Sequence, residues 1–162
     1  MANFERLHKQ FQTLEKLTRG TFTDKFYECL KPVDLVYQNR RSFRAIYKLK
    51  ADRSFINAYG VFHSGAFATI IDLTVIGACR CNNKHTDRIV TAHLDMDLLK
   101  VVKPEEEIRV EAVIYKTGKY LNFGNALFIN EKEELVAKGS AVGSCVYTKE
   151  YEAKFKTTEP EV

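Results

Sequence analysis

The run Gly65-Ala-Phe-Ala-Thr-Ile-Ile-Asp-Leu-Thr-Val-Ile-Gly-Ala-Cys79 leaves a folded chain few choices. Nearly every residue in it is apolar or small, and on a helical wheel the apolar positions go all the way round instead of forming one stripe. A helix of that kind has to be covered on every side. A bilayer would cover it too, but the run is short for a span and carries Asp72 near its middle, so it reads as a core helix surrounded by protein. A carboxylate left alone in such surroundings costs several kcal/mol of desolvation unless it is paired, protonated or used. Asp72 is therefore the residue that most demands a role.

Just ahead of the run, Gly60, His63, Ser64 and Gly65 make a polar, turn-forming entry. Unpaired N–H groups gather where a helix begins, and with the positive end of the helix dipole they suit an anionic or carbonyl oxygen. An oxygen site at the helix start and a carboxylate two turns along are a workable pair for hydrolysis.

The flanking segments supply the cover. In residues 43–49, Phe43, Ala45, Tyr47 and Leu49 alternate with Arg44 and Lys48, the pattern of a strand with one wet face. Four more strands are expected at 89–99, 107–116, 120–130 and 135–147, separated by Lys103-Pro104-Glu105, Thr117-Gly118-Lys119 and Glu131-Lys132-Glu133. Ile108, Val110, Ala112 and Ile114 point inward. Ala137, Gly139, Ala141 and Gly143 share a face so small that something bulky packs closely on it, and the central helix is the natural partner. Ahead of these elements, Phe4, Leu7, Phe11, Leu14 and Leu17 form the stripe of an amphipathic helix that closes at Arg19-Gly20 and lies on the outside of the domain. A short helix is expected at 24–30, with Pro32 breaking any regular element in 21–42. One strand, one long helix and four further strands define an α+β domain, a curved antiparallel sheet wrapped around one long buried helix.

Length and charge narrow the function. The 162 residues fit one domain, and 25 basic against 21 acidic residues is too mild an excess to suggest nucleic acid. Cys29, Cys79, Cys81 and Cys145 show neither a disulfide framework nor a zinc spacing, since Cys79-Arg-Cys81 is too tight. His93, Asp95 and Asp97 alternate along one expected strand and read as a solvated face, so no metal is expected. The first residues lack the apolar core of a secretory signal, and Glu5 and Glu15 make a poor transit peptide. A cytoplasmic protein is the expectation, with a mitochondrial one as the alternative. The charged residues 149–162 are expected to be a loose tail.

The element order and the pattern Asn57-x-x-Gly60-x-x-His63-x-Gly65, followed by Asp72, resemble the hotdog-fold acyl-CoA thioesterases of the phenylacetate-degradation and thioesterase superfamily member 2 types. Lys116-Thr-Gly-Lys-Tyr-Leu-Asn-Phe123 looks like that family's hairpin and Glu134-Leu-Val-Ala-Lys-Gly139 like its last strand. The resemblance implies a hotdog domain at 43–148, with 1–42 as an N-terminal helical extension of it. It also implies a homo-oligomer, dimer or tetramer, with the active site at the subunit interface, and acyl-CoA hydrolysis without a metal or cofactor. Carried over, Asp72 is general base or nucleophile, Asn57 holds the water or the thioester, and His63 fixes the loop and the carbonyl. The N–H groups of Ser64 and Gly65 form an oxyanion hole, and Thr91 matches a serine that assists the water. Lys100, Lys103, Lys116 and Lys119 are offered to the phosphates of coenzyme A. Simpler roles stand beside these: Asn57 as a turn residue, His63 as a helix cap, Thr91 as an ordinary strand residue. Where the family has two glycines after the histidine, this chain has Ser64 first. A backbone donor survives that change, but a position demanding positive φ would strain serine and weaken the hole. A non-catalytic acyl-CoA or fatty-acid binding protein is the alternative function.

Overall fold

Six antiparallel strands curl around the apolar helix. The computed structural model describes residues 2–39, 41–82 and 88–147; the tail expected at 149–162 falls outside them. In chain order the elements are α1 (Ala2–Leu17), α2 (Asp24–Cys29), β1 (Leu30–Tyr37), β2 (Phe43–Lys50), a 3-10 turn (Arg53–Phe55), α3 (Ser64–Asn82), β3 (Arg88–Leu98), β4 (Glu107–Thr117), β5 (Leu121–Asn130) and β6 (Leu135–Val146). The sheet order is β1-β2-β4-β5-β6-β3. The chain leaves β2, runs through α3 and re-enters at the far edge, so β3 is bonded to β6 and to no other strand described.

α3 lies against the concave face. Phe43, Ala45, Tyr47 and Leu49 of β2 meet it, as do Ile108, Val110, Ala112 and Ile114 of β4, all essentially buried, as their alternation predicted. By length and composition α3 would pass for a membrane span, but its apolar sides are taken up by the sheet and by α1. The small face of β6 has the expected purpose. A Cβ at Gly139 would lie 2.5 Å from Ile71 Cδ1 of α3, so only glycine lets helix and strand come this close. α1 does more than coat the outside: Leu7 is buried in the core cluster, and Leu14 reaches Gly77 on the side of α3 that the sheet leaves open.

Residues 21–42 correct one expectation. α2 forms where a short helix was foreseen, but Pro32 does not prevent regular structure after it. β1 pairs with β2 from Leu30 to Tyr37 and absorbs the irregularity as a bulge between Pro32 and Asp34. An edge strand tolerates proline because its missing N–H can face away from the sheet. The sheet therefore has six strands where five were expected, and the extra one comes from the segment ahead of residue 43.

Candidate active site

The loop before α3 is braced from below and left open above. Phe62 is buried between Phe55 and Phe67, with ring centroids at 6.3 and 5.0 Å, and Phe67 continues to Phe128 of β5 at 5.1 Å. The Phe62 N–H donates to the Val102 carbonyl at 2.8 Å, and the His63 N–H to that of Phe55 at 2.8 Å. These ties hold a rigid ledge from which His63, Ser64 and Gly65 face solvent. The turn ahead of it is an Asx turn: Asn57 Oδ1 accepts from the N–H groups of Tyr59 at 2.9 Å and Val61 at 3.3 Å, and Gly60 adopts φ 76°. Asn57 thus shapes the loop with its oxygen, leaving Nδ2 as its remaining polar group. Tyr59 stands at the tip, 90% exposed.

At the helix start, His63 Nδ1 accepts from the Gly65 N–H at 2.8 Å. A backbone N–H can only donate, so Nδ1 carries the lone pair and a neutral imidazole keeps its proton on Nε2. Residue 65 must be small for this, since a Cβ there would sit 3.0 Å from Nδ1. The Gly65 N–H is therefore committed within the loop, while the Ser64 N–H has no acceptor among the described residues. Serine carries no backbone strain at position 64: the described non-glycine residues with positive φ are Glu105 and Glu133.

Asp72 lies a little over two turns further on, half-buried, and receives a hydrogen bond from the Thr91 hydroxyl to Oδ1. A bulge follows Thr91 and keeps the rest of the strand in step with it. The register of β3 against β6 slips between Thr91 and His93, so Ala92 is extra. Residues opposite one another in antiparallel strands share a face. Ile89 opposite Cys145, Thr91 opposite Gly143 and Leu94 opposite Ala141 all point to α3, whereas His93, Asp95 and Asp97 point outward. On that outer face the Ser140 hydroxyl, at 2.5 Å, holds the Asp95 carboxyl below the usual carboxylate range, with the ring of His93 3.2 Å away. Asp97 pairs with Lys138 at 3.3 Å. No group of metal-binding side chains occurs among the described residues.

The four lysines fall into two pairs. Lys100, bonded to Glu134 at 2.6 Å, and Lys103 flank Val102, beside the helix start. Lys116 and Lys119 sit over the rings of Phe123 and Tyr120, at the end of the sheet where Asn82 meets Thr117. A helix of 19 residues separates the pairs by about 28 Å. A single chain does not gather them into one cluster. A surface hollow of about 280 Å³ lies on the convex face, lined by Val33, Ile46, Arg109 and Ile129 among others. Both of its cations are already paired, Lys48 with Glu107 and Arg109 with Glu133, and it is not where the reactive groups are.

Residue patterns alone did not reveal the aromatic brace under the loop or the bulge that keeps Thr91 and Leu94 on one face. The spacing Ile89, Thr91, Leu94 is the trace of the bulge in the sequence.

This fold is the hotdog fold, and the arrangement is similar to that of thioesterases built on it. The family model described as thioesterase superfamily matches residues 59–137, a span that contains His63, Ser64, Gly65, Asp72 and Thr91. Among solved structures, zebrafish thioesterase superfamily member 2 aligns with a TM-score of 0.75 at 17% identity, over 89% of this chain and 99% of that one. The PaaI protein of the E. coli phenylacetic acid degradation operon aligns at 0.71 and 11% identity, over 90% and 96%. smu.793 of Streptococcus mutans, bound to acetyl-CoA, aligns at 0.63 and 16% identity, over 72% and 88%. At these identities the likeness is one of fold. No curated protein matches the chain in sequence.

Proposed function

We propose that the protein hydrolyses acyl-CoA thioesters to the free acid and coenzyme A, as a homo-oligomer whose sites are each built by two subunits. The observation that carries this reading is the hydrogen bond from Thr91 to Asp72. It orients a carboxylate of the core helix beside an exposed hydroxyl, an arrangement that stability does not require and that a water to be deprotonated does. Asp72 accepts a proton as that water attacks the thioester carbon. The carbonyl π electrons move onto oxygen, where N–H donors at a helix start stabilise the negative charge. Collapse of the tetrahedral intermediate breaks the C–S bond, and the departing thiolate recovers the proton from Asp72. His63 positions the carbonyl with its Nε2 proton, and Asn57 holds the water or the thioester through Nδ2.

Two subunits enter the reading because the parts lie apart on one chain. From Ser64 to Asp72 is about 12 Å of helix axis. β3, eleven residues long, offers a free edge with Val90 and Leu98 exposed, a template for pairing with another chain. A twofold copy joined along that edge runs its helix the opposite way and brings its own helix start toward this Asp72. Lys100, now paired with Glu134, and Lys103 lie beside the helix start and are the lysines we assign to the phosphates. The acetyl-CoA bound by the S. mutans neighbour supports a CoA thioester as substrate.

The test is release of free thiol from a panel of straight-chain acyl-CoAs, acetyl to palmitoyl, against an Asp72→Asn variant. Turnover by the natural chain and its near abolition in the variant are expected. A panel on which the two proteins behave alike would refute the reading, and tight acyl-CoA binding unaffected by the substitution would point to the binding-protein alternative.

A further inference from the structure

We infer that the side-chain hydroxyl of Ser64 is the second oxyanion donor of this site, acting beside the N–H of the same residue. The inference rests on the hydrolase reading above and concerns which atoms stabilise its transition state.

Four N–H groups open a helix without an internal acceptor. Here the Gly65 N–H is taken by His63 Nδ1 at 2.8 Å, and those of Ala66 and Phe67 turn back to the His63 carbonyl at 2.9 and 3.4 Å. The N–H of Ser64 is the one left without an acceptor among the described residues. A single N–H is a thin complement for an oxygen that gains a full negative charge during attack. The other hydroxyl on the first turns, that of Thr69, is also committed, donating to the Gly65 carbonyl at 2.9 Å.

Ser64 supplies what is missing. It is exposed, and its hydroxyl makes no hydrogen bond to any described residue. As the first residue of α3 it has no strained backbone to fix its side chain elsewhere. In either gauche rotamer a serine hydroxyl lies about 3 Å from its own backbone nitrogen, so O–H and N–H can converge on one acceptor. The hydroxyl becomes useful only when negative charge develops, since a neutral carbonyl accepts the second bond weakly. Its contribution therefore falls on kcat more than on KM. Serine at position 64 is on this account a replacement for the donor that His63 withdraws, and not a weakened glycine.

The experiment compares Ser64→Ala, Ser64→Gly and Ser64→Thr with the unaltered protein, on whichever member of the acyl-CoA panel it hydrolyses fastest. With one oxyanion donor lost, Ser64→Ala and Ser64→Gly should lower kcat about 10- to 100-fold while KM moves less than about two-fold. Ser64→Thr, which keeps a hydroxyl, should exceed the alanine variant. Because the side chain is exposed and makes no bond within the chain, all three should unfold at the temperature of the original. An alanine or glycine variant as fast as the original, or a loss confined to KM, overturns the inference. That outcome leaves the hydrolase reading intact. An unaltered protein that releases no thiol from any member of the panel defeats the hydrolase reading, and this inference with it.

Discussion

Gly139→Ala tests how tightly packing and chemistry are joined in this fold. The added methyl would sit 2.4 Å from the Asp95 carbonyl oxygen on β3, 2.5 Å from Ile71 Cδ1 on α3 and 3.2 Å from Met96 Cβ. Ile71 is fully buried, so its δ-methyl has little room to retreat, and the carbonyl oxygen belongs to the bonded pairing of β3 with β6. Relief requires β3 to move outward by a sizeable fraction of an ångström. Overpacking of this kind costs about 1–3 kcal/mol, and the backbone clash puts Gly139→Ala near the top, at about 3 kcal/mol. For a domain of this size that is a fall of roughly 6–12 °C in Tm. Gly143→Ala is the control. Its methyl would press on Ile89 Cγ2 at 2.5 Å and Ile76 Cδ1 at 2.9 Å, side-chain atoms only, and should cost about 1 kcal/mol. Since β3 carries Thr91 to Asp72, Gly139→Ala should also lower kcat, because displacements approaching 1 Å in a supporting element can cost about 100-fold. Urea unfolding followed by circular dichroism gives the stabilities, with m unchanged if only the native packing is affected. A Gly139→Ala protein within about 0.5 kcal/mol of the original, or one more stable than Gly143→Ala, would refute the claim that β6 is small because α3 and β3 crowd it.

Three further outcomes follow from the same structure. If each site takes its helix start from one subunit and its carboxylate from another, mixing inactive Asp72→Asn and His63→Ala chains through unfolding and refolding should restore about a quarter of the original activity, from mixed dimers that hold one intact site; no recovery would place the whole site in one chain. Thr91→Val, which keeps the shape and removes the hydroxyl bonded to Asp72, should lower kcat about 10-fold or more with Tm little changed, and Thr91→Ser should retain most of it; a valine variant at full rate would make Thr91 a strand residue and nothing else. Burial pushes the thiols of Cys79 and Cys81 and the phenol of Tyr27 each up to about 12, so these groups favour the folded state below their ordinary pKa values and lose that contribution as pH rises toward 12. The urea midpoint should accordingly fall between about pH 8 and about pH 10.5, with each buried thiol removing up to ~1.4 kcal/mol per pH unit above its ordinary value, and a flat midpoint would contradict the burial.

The elements legible in the sequence are those whose periodicity is unbroken. Ile108 to Ile114 alternate without interruption, and residues 65–79 are apolar on every side, so β4 and α3 follow from pattern alone. β1 was hidden by its bulge. Leu30, Leu35 and Tyr37 face inward, but the extra residue at Val33 breaks the alternation, and the edge position admits a proline that an inner strand would exclude. The small face of β6 was legible because nothing except close approach explains so many small residues in alternation.

The candidate site divides along the same line. Features set by local chain chemistry, the turn at Asn57 and Gly60 and the open helix start at Ser64, could be read from neighbouring residues, because an Asx turn and a helix N-terminus are short-range structures. The partner of Asp72 could not. It lies nineteen positions away on a strand whose inward set is Ile89, Thr91 and Leu94, and strict alternation from Ile89 would have turned His93 toward the helix. Ala92 makes the difference: were it paired like its neighbours instead of bulged out, either Thr91 or Leu94 would face solvent, and the strand would lose its bond to Asp72 or its grip on the core. The bulge lets one strand serve both packing and chemistry. Deleting Ala92 leaves Ile89, Thr91 and Leu94 inward in unbroken alternation, so the shortened strand should keep most of the activity. A deletion variant that folds but is as slow as Thr91→Val would show that the bulge itself, and not only the face it preserves, brings Thr91 to Asp72.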